Sequence, residues 1–190
     1  MPGSDRIAAD MLSYPPSKTT IIDCFGGIGG NSIAFALSGR WHTIISIERD
    51  ASTLACAQRN AALYGVAHAI TFVLGDSFAV LQLARTRPER LPKELRVAPG
   101  NTVLFASPPW GGPGYVDDEV FDLSGMQPYN LADLHAAYRE YEHALFLPRT
   151  SDIRQIAAVV PGEEKADVIQ YCIHGASKAL VAYIPAAESS

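Results

Sequence analysis

The stretch DCFGGIGGNSIAFA, residues 23–36, places four glycines between an apolar run and a segment with helical periodicity. Because glycine has no Cβ, a loop of this kind lets the backbone come very close to a ligand. The residues before it, TTIIDCF (19–25), predict a buried strand, and GNSIAFALSG (30–39) predicts the helix that follows. Dinucleotides, nucleoside phosphates and S-adenosylmethionine are all bound by glycine-rich turns after a first strand. The loop by itself therefore leaves these three ligands open.

The same alternation of strand and helix continues along the chain. Further strands are predicted at 42–48, 69–76, 101–108 and 143–148, and helices at 51–65, 77–84, 131–142 and 151–159. The segment 166–185 differs, because its two strand-like runs joined by HGAS predict a β-hairpin. Five strand–helix units and a hairpin predict an α/β fold, in which a mainly parallel sheet has helices on both faces and one antiparallel strand. We expect a single domain over residues 1–190.

The composition argues against several classes of protein. At 190 residues with 48% hydrophobic residues, the chain can bury a sizeable core, and no apolar run reaches the roughly 20 residues that span a bilayer. Cys24, Cys56 and Cys172 are far apart and no histidines have metal-ligand spacing, so neither a disulfide framework nor a metal site is predicted. The net charge of −5 is not that of a generally basic nucleic-acid binder.

One segment has the opposite charge balance. RTRPERLPKELR, residues 85–96, contains five basic residues against Glu89 and Glu94. Its simplest interpretation is a solvated loop, and the alternative is an edge that attracts phosphates.

Three acidic residues favour one ligand of the glycine loop. The order GGIGG (26–30) does not match the G-x-G-x-x-G fingerprint of dinucleotide-binding proteins. Asp23 suits a cationic ligand, and the methionine part of S-adenosylmethionine carries an ammonium group and a sulfonium. Glu48 can accept both ribose hydroxyls, and Asp76 can accept from an adenine amino group while Phe78 packs on the ring. Each acid alone is equally well explained as a cap or turn former, but three at successive strand ends favour S-adenosylmethionine.

A second loop, SPPWGGPGY (107–115), follows the fourth predicted strand. Two consecutive prolines fix two φ angles and remove two N–H groups, so the backbone presents rigid carbonyls. Acceptors at the hydrogens of a base's exocyclic amine, namely the Pro108 carbonyl and a Ser107 oxygen, draw that nitrogen toward tetrahedral geometry. Its lone pair is then available for attack on a methyl group, while Trp110 stacks on the planar base. A structural Pro-Pro turn with a buried tryptophan is the alternative interpretation.

Three segments together resemble the trimethylguanosine synthase (cap hypermethylase) family, which converts 7-methylguanosine caps into 2,2,7-trimethylguanosine: DCFGGIGGNSIAFAL (23–37), SPPWGGPGY (107–115) and LFLPRTSDIRQIA (145–157). SPPWGGP is the most specific of them, and the resemblance extends over nearly the whole chain. It implies a class I methyltransferase fold, Rossmann-like and seven-stranded with strand order 3-2-1-4-5-7-6 and a C-terminal antiparallel hairpin. This agrees with the units and the hairpin read from the sequence.

The resemblance also implies roles for individual residues. Trp110 stacks on the cationic 7-methylguanine ring, which gains about 1–2 kcal/mol from the charge once desolvated, and Tyr115 and Arg149 contact the phosphates of the cap. Catalysis is assigned to Ser107, Pro108 and Trp110. The residues assigned to S-adenosylmethionine are Asp23, Phe25, Gly26, Gly27, Gly29, Asn31, Glu48, Arg49, Asp76, Ser77 and Phe78.

The activity that follows is S-adenosylmethionine-dependent methylation of guanine N2 in a 7-methylguanosine cap. The alternatives are an amino-methyltransferase acting on another RNA, on DNA or on protein, and a cap- or cofactor-binding module with little turnover. The resemblance implies capped small nuclear and nucleolar RNAs as partners, a nuclear and possibly also cytoplasmic location, no membrane, and a monomer.

Two features depart from the family pattern. Family members carry a helical region before the core, and here about 18 residues precede the first strand, so we expect that region to be absent or shortened and turnover to be slow. The basic insertion 85–96 is the second departure, and a partial substitute for the missing lid is one hypothesis for it.

Overall fold

The computed structural model describes residues 2–111, 119–160, 164–173 and 175–187. The chain divides into two compact units, residues 1–105 and 106–190. The strands are β1 (Thr20–Asp23), β2 (Thr43–Glu48), β3 (Ile70–Leu74), β4 (Thr102–Ala106), β5 (Glu142–Pro148), β6 (Asp167–Ile173) and β7 (Ala176–Ile184). The helices are α1 (Pro2–Asp10), α2 (Gly30–Leu37), α3 (Ala51–Leu63), α4 (Ser77–Thr86), α5 (Leu131–Tyr138) and α6 (Ile153–Val159). None of these helices is long and apolar enough to cross a membrane.

The seven strands form one sheet in the order β3-β2-β1-β4-β5-β7-β6. β1 pairs in parallel with β2 and β4, and β2 with β3, whereas β7 is antiparallel to both β5 and β6. The predicted fold class and strand order are therefore confirmed, including the single antiparallel strand. The fully buried runs of β1 and β4 are typical of parallel strands in the interior of a sheet.

Short polar side chains start the helices where the sequence predicts. Asp50 accepts from the backbone N–H of Thr53 at 2.7 Å, and Asn130 and Asp133 form a reciprocal capping box at the start of α5. Gly39 and Gly65, predicted to end α2 and α3, have φ values of 66° and 74°, which only glycine adopts readily. Local sequence signals thus fix the ends of these helices.

The N-terminal helix α1 was not predicted from the sequence. Ile7 and Met11 are 1% and 0% exposed, and α1 packs against α2. Ile7 and Ala8 of α1 and Met11 just after it are all buried, but three apolar residues in so short a segment give a weak periodic signal. One α-helix therefore precedes β1 in the described residues.

The basic insertion is more ordered than a solvated loop. α4 continues to Thr86, and two short 3₁₀ turns follow at Pro88–Arg90 and Lys93–Leu95. Leu91 and Leu95 are buried, and Arg96 donates to the carbonyls of Leu91 and Glu89. The two buried leucines and the hydrogen-bonded guanidinium of Arg96 therefore fix the backbone conformation of this segment.

Candidate active site

The three predicted acids lie at the carboxyl ends of β1, β2 and β3. Asp23 ends β1 and pairs in register with Ser46 of β2, and Glu48 ends β2 opposite Leu74 of β3. Asp76 follows β3 by two residues. In an open α/β sheet, ligands bind at the edge formed by the carboxyl ends of the strands. The fold therefore places the three acids at that edge of the sheet, within residues 1–105.

The glycine loop is packed directly onto β2 and α3. The N–H of Gly26 donates to the carbonyl of Ile47 at 2.8 Å, and a Cβ at Gly26 would collide with the Ser46 hydroxyl. Gly29 has φ 89°, and a Cβ there would lie 3.2 Å from that of Ala57 in α3. The protein's own packing therefore requires glycine at both positions.

Glu48 connects the glycine loop to the end of β2. One carboxylate oxygen accepts from the N–H of Gly27 and the other from the N–H of Asp50, both at 2.9 Å. An ionised carboxylate has about four acceptor positions, so each oxygen can accept a further hydrogen bond. Glu48 is half-buried, which is compatible with the predicted acceptance of two ribose hydroxyls.

Asp23 is fully buried, as expected for a residue of the predicted buried strand. Its Oδ2 accepts from the Ser32 hydroxyl at 2.7 Å, and the Ser32 and Ser46 hydroxyls are 2.9 Å apart. Its Oδ1 has no hydrogen-bond partner in the part of the chain that the structure describes. Burial raises the pKa of Asp23 to about 6, against which the Ser32 hydrogen bond acts in the lowering direction. A buried acceptor without a donor fits a cationic group that arrives with a ligand.

The other residues assigned to the cofactor differ in their exposure. Asp76 caps α4 by accepting from the N–H groups of Phe78 and Ala79 at 2.8 and 3.2 Å, so it has a structural role at the start of this helix. Phe78 is half-buried in the first turn of the same helix. Arg49 is exposed and Ser77 is buried. Phe25 and Asn31 are half-buried on either side of the loop.

Trp110 is not a core residue. In residues 106–190 its indole stacks on Phe146 of β5, with ring centroids 5.6 Å apart and 24° between the planes. Its Nε1 donates to the Phe146 carbonyl at 3.3 Å, and the residue is half-buried. Pro108 is buried and Ser107 half-buried, immediately after the carboxyl end of β4. A tryptophan fixed in orientation and still accessible is the arrangement needed to stack a planar base.

The far end of the same loop returns to β5. Phe121 donates its N–H to the Thr150 carbonyl at 2.8 Å, and Asp152 donates its N–H to the Phe121 carbonyl at 3.0 Å. Arg149 is exposed beside this junction. Trp110 and Phe121 thus contact Phe146 and Thr150, at or just after the carboxyl end of β5, the end that Arg149 follows. Tyr115, predicted to contact phosphate, lies outside the described residues.

Comparison with known proteins identifies the family. The model of the RNA cap guanine-N2 methyltransferase family matches residues 18–187. The chain belongs to this family.

Two curated members of the cap guanine-N2 methyltransferase group have similar sequences. Trimethylguanosine synthase of Schizosaccharomyces pombe is 34% identical over 169 residues, which is 86% of this chain and 64% of that protein. Trimethylguanosine synthase of Saccharomyces cerevisiae is 28% identical over 80% of this chain and 47% of that protein. The chain therefore spans about half to two thirds of the length of these relatives.

Solved structures with the same fold are more distant in sequence. The O-methyltransferase TomG of Streptomyces achromogenes, solved with S-adenosylmethionine, has a TM-score of 0.59 at 16% identity. The match covers 97% of this chain and 80% of the TomG chain. An RNA methyltransferase of Salinibacter ruber, solved with S-adenosylhomocysteine, has a TM-score of 0.51 at 17% identity. That match covers 99% of this chain and 94% of the Salinibacter ruber chain. At such identities the likeness shows the methyltransferase fold alone.

Sequence reasoning missed three residues that support the site of this cap methyltransferase family member. Ser32 donates to the Asp23 carboxylate and to the Ser46 hydroxyl, and Phe146 stacks against Trp110. The one available signal was Ser46, a polar residue inside the apolar strand TIISIE (43–48). Ser32 and Phe146 carry no signal of their own, because they match the pattern of the helix and the strand that contain them.

Proposed function

We propose that this chain transfers a methyl group from S-adenosylmethionine to guanine N2 of a 7-methylguanosine RNA cap, giving 2,7-dimethyl or 2,2,7-trimethyl products. The observation that carries the proposal is Trp110, half-buried and stacked on Phe146, in the loop that begins with Ser107 and two prolines. Membership of the cap guanine-N2 methyltransferase family supports the same reaction.

The residues at the carboxyl ends of β1–β3 fit S-adenosylmethionine. Asp23 Oδ1 is a buried acceptor without a donor among the described residues, and it would accept from the ligand's ammonium group. Glu48 would accept from the ribose hydroxyls with its remaining lone pairs, and Asp76 and Phe78 would hold the adenine. A Cβ at Gly27 would have only the Phe25 carbonyl within 4 Å, so the backbone there leaves room beside these acids. When bound, the cofactor supplies an electrophilic methyl group on its sulfonium.

The loop after β4 would hold the acceptor base. Trp110 stacks on the cationic 7-methylguanine ring and distinguishes it from neutral guanine by about 1–2 kcal/mol. The Pro108 carbonyl and a Ser107 oxygen accept from the N2 hydrogens, which orients the nitrogen lone pair toward the methyl group. No strong base is required, because the amine becomes acidic once it has taken the methyl and loses its proton to water. Arg149 and Tyr115 would hold the phosphates.

The test is methyl transfer from labelled S-adenosylmethionine to a 7-methylguanosine cap dinucleotide and to the same dinucleotide without the 7-methyl group. We expect label in the first product, at N2, and about 5- to 30-fold less in the second, which is the discrimination that a desolvated cation–π contact of about 1–2 kcal/mol gives. Equal labelling of both dinucleotides would point to another amino-methyltransferase activity. Binding of both ligands without transfer would point to a binding module.

The phosphate contact has its own test. Affinity should rise from 7-methylguanosine to its diphosphate and to the cap dinucleotide, and Arg149→Gln should flatten that rise, because a charged contact is lost. Arg139→Gln, which removes an exposed arginine elsewhere on residues 106–190, should leave it unchanged.

We propose capped small nuclear and nucleolar RNAs as substrates, a nuclear location and a monomer, on the similarity to trimethylguanosine synthases.

A further inference from the structure

A second concave surface lies at the amino ends of β1, β2 and β3, opposite the edge that carries Asp23 and Glu48. It is a groove of about 480 Å³ within residues 1–105. One wall consists of residues at the strand starts, Thr19, Thr20, His42, Thr43, His68, Ala69 and Thr71, and the other of Lys93, Glu94, Arg96, Val97 and Asn101. The basic insertion therefore borders this groove, so its position does not support the hypothesis that it acts as a lid over the cofactor.

The two walls of the groove are tied to each other. Thr19 donates its N–H to the Asn101 carbonyl at 2.9 Å and accepts from the N–H of His42 at 3.0 Å. Lys18, which is 6% exposed, donates its ammonium to the Pro99 carbonyl at 3.0 Å. Hydrogen bonds between segments this far apart in sequence hold the groove open in one shape, which lowers the cost of ordering it on binding.

The chemistry of the groove is that of a polyanion site. Lys93 and Arg96 supply charge, and four threonines and Asn101 supply uncharged donors. Glu94 also lines the groove and offsets part of this charge. Beyond the groove, exposed basic residues continue along the insertion at Arg85, Arg87 and Arg90.

This concentration of charge is local. Residues 85–96 hold five of the chain's 15 lysines and arginines, but only two of its 20 acidic residues. A single phosphate would need a compact cluster of donors, whereas a row of cations leading into a groove matches a chain of phosphates.

We propose that this groove and the exposed basic residues 85–93 bind the phosphate backbone of the RNA that follows the cap. The inference rests on the proposed function, because that function brings capped RNA to the protein. β2 runs from the groove at His42 to Glu48 at the other edge, roughly 20 Å along an extended strand. The base that accepts the methyl group must lie beside the cofactor at the Glu48 edge, so only an RNA several nucleotides long also reaches the groove, which discriminates by RNA length and not by the cap.

The experiment measures binding of a labelled cap dinucleotide, a capped 20-nucleotide RNA and the same RNA without a cap, each over a range of salt. The groove variant is Arg90→Gln with Lys93→Gln, and Arg96 is kept because its guanidinium holds two backbone carbonyls. The matched control is Lys165→Gln with Lys178→Gln, two exposed lysines in residues 106–190.

We expect the groove variant to bind both 20-nucleotide RNAs about 10-fold more weakly, with a salt slope lower by about 1.4, since each lost contact to a single strand removes about 0.7. Its affinity for the cap dinucleotide and its methylation of it should equal those of the wild type. Unchanged RNA affinity and slope, or the same loss in the control, would overturn the proposal. If the dinucleotide is not methylated but the groove variant still loses RNA affinity, the groove stands and the proposed reaction fails.

Discussion

At the scale of single residues, Asp23 combines a structural and a binding role. Buried against Ser32, it has a pKa of about 6 because desolvation outweighs the hydrogen bond that favours its ionised form. An ammonium group that approaches Oδ1 favours the ionised form, so binding of the ligand and deprotonation of Asp23 are coupled.

This coupling predicts a pH-dependent affinity. Binding of S-adenosylhomocysteine, measured by calorimetry, should be strongest above about pH 6 and weaken as the pH falls through that value, because protonated Asp23 no longer attracts the ammonium group. Asp23→Asn should weaken binding about 10-fold or more at pH 7.5 and remove this dependence. Asp50→Asn, at the exposed cap of α3, should keep both affinity and dependence. A wild-type affinity that does not change between pH 5 and pH 7 would contradict the role of Asp23.

Trp110 provides a second prediction for a single residue. Trp110→Ala should lower affinity for 7-methylguanosine diphosphate at least 10-fold, since stacking and the cation–π contact are both lost, while S-adenosylhomocysteine binds within about twofold of the wild type. Fluorescence and calorimetry measure the two affinities. Trp41→Phe, at a buried tryptophan of residues 1–105, is the control and should leave the cap affinity unchanged. Equal loss of both ligands in Trp110→Ala would make Trp110 a structural residue.

At the scale of elements, the glycine loop and β2 form one unit through the contact of Gly26 with Ser46. Gly26→Ala should destabilise the protein by about 1–3 kcal/mol, because its Cβ meets the Ser46 hydroxyl and displaces it from Ser32. In a Ser46→Ala background the same change should cost less than about 1 kcal/mol, since the other nearby atoms, Ser46 Cβ and the Ile47 carbonyl, stay at 3.6 and 3.4 Å.

Denaturant unfolding of the four proteins in this cycle measures the coupling. Gly27→Ala is the internal control, because its cost arises from its φ of 52° and should be the same in both backgrounds. Equal costs of Gly26→Ala with and without the Ser46 hydroxyl would show that the loop does not rest on this contact.

At the scale of the whole molecule, two buried groups give opposite dependences of stability on pH. His143 is 0% exposed, and burial lowers its pKa from 6.5 to about 4, although its Nδ1 lies 2.8 Å from the Tyr141 carbonyl. The unfolded chain therefore binds more protons at His143 between pH 4 and 6.5, and stability is lost as the pH falls through that range. At Asp23 the folded state binds more protons between pH 3.8 and 6, so stability is gained there on acidification.

Each contribution amounts to roughly 3 kcal/mol over its range, from about 1.4 kcal/mol for each unit of pKa. We expect Asp23→Asn to lose stability more steeply than the wild type between pH 6 and pH 4, and His143→Gln to lose it less steeply. Denaturant unfolding at pH 4, 5, 6 and 7.5 measures these slopes. The comparison uses slopes because either change can also shift stability at every pH. Parallel curves for all three proteins would show that neither burial shifts a pKa as described.

The sequence by itself determined the order of the strands and of helices α2 to α6, the helix starts after Asp50 and Asn130, and the three acids that follow successive strands. These features depend on periodicity and on residues a few positions apart, which a linear pattern records directly. Family motifs further led to the reaction, and the family is confirmed. The roles assigned to individual site residues stay predictions.

Only the tertiary structure decided how those residues are held. Ser46 packs against the glycine loop and closes the network around Asp23, and Phe146 supports Trp110 from 36 residues away. It also decided that α1 and the turn after it contribute Ile7 and Met11 to the core, and that the basic insertion lies at the amino ends of the strands. The physical reason is that desolvation, stacking and steric contact depend on neighbours in space, and residues far apart in the chain become neighbours only when the sheet forms.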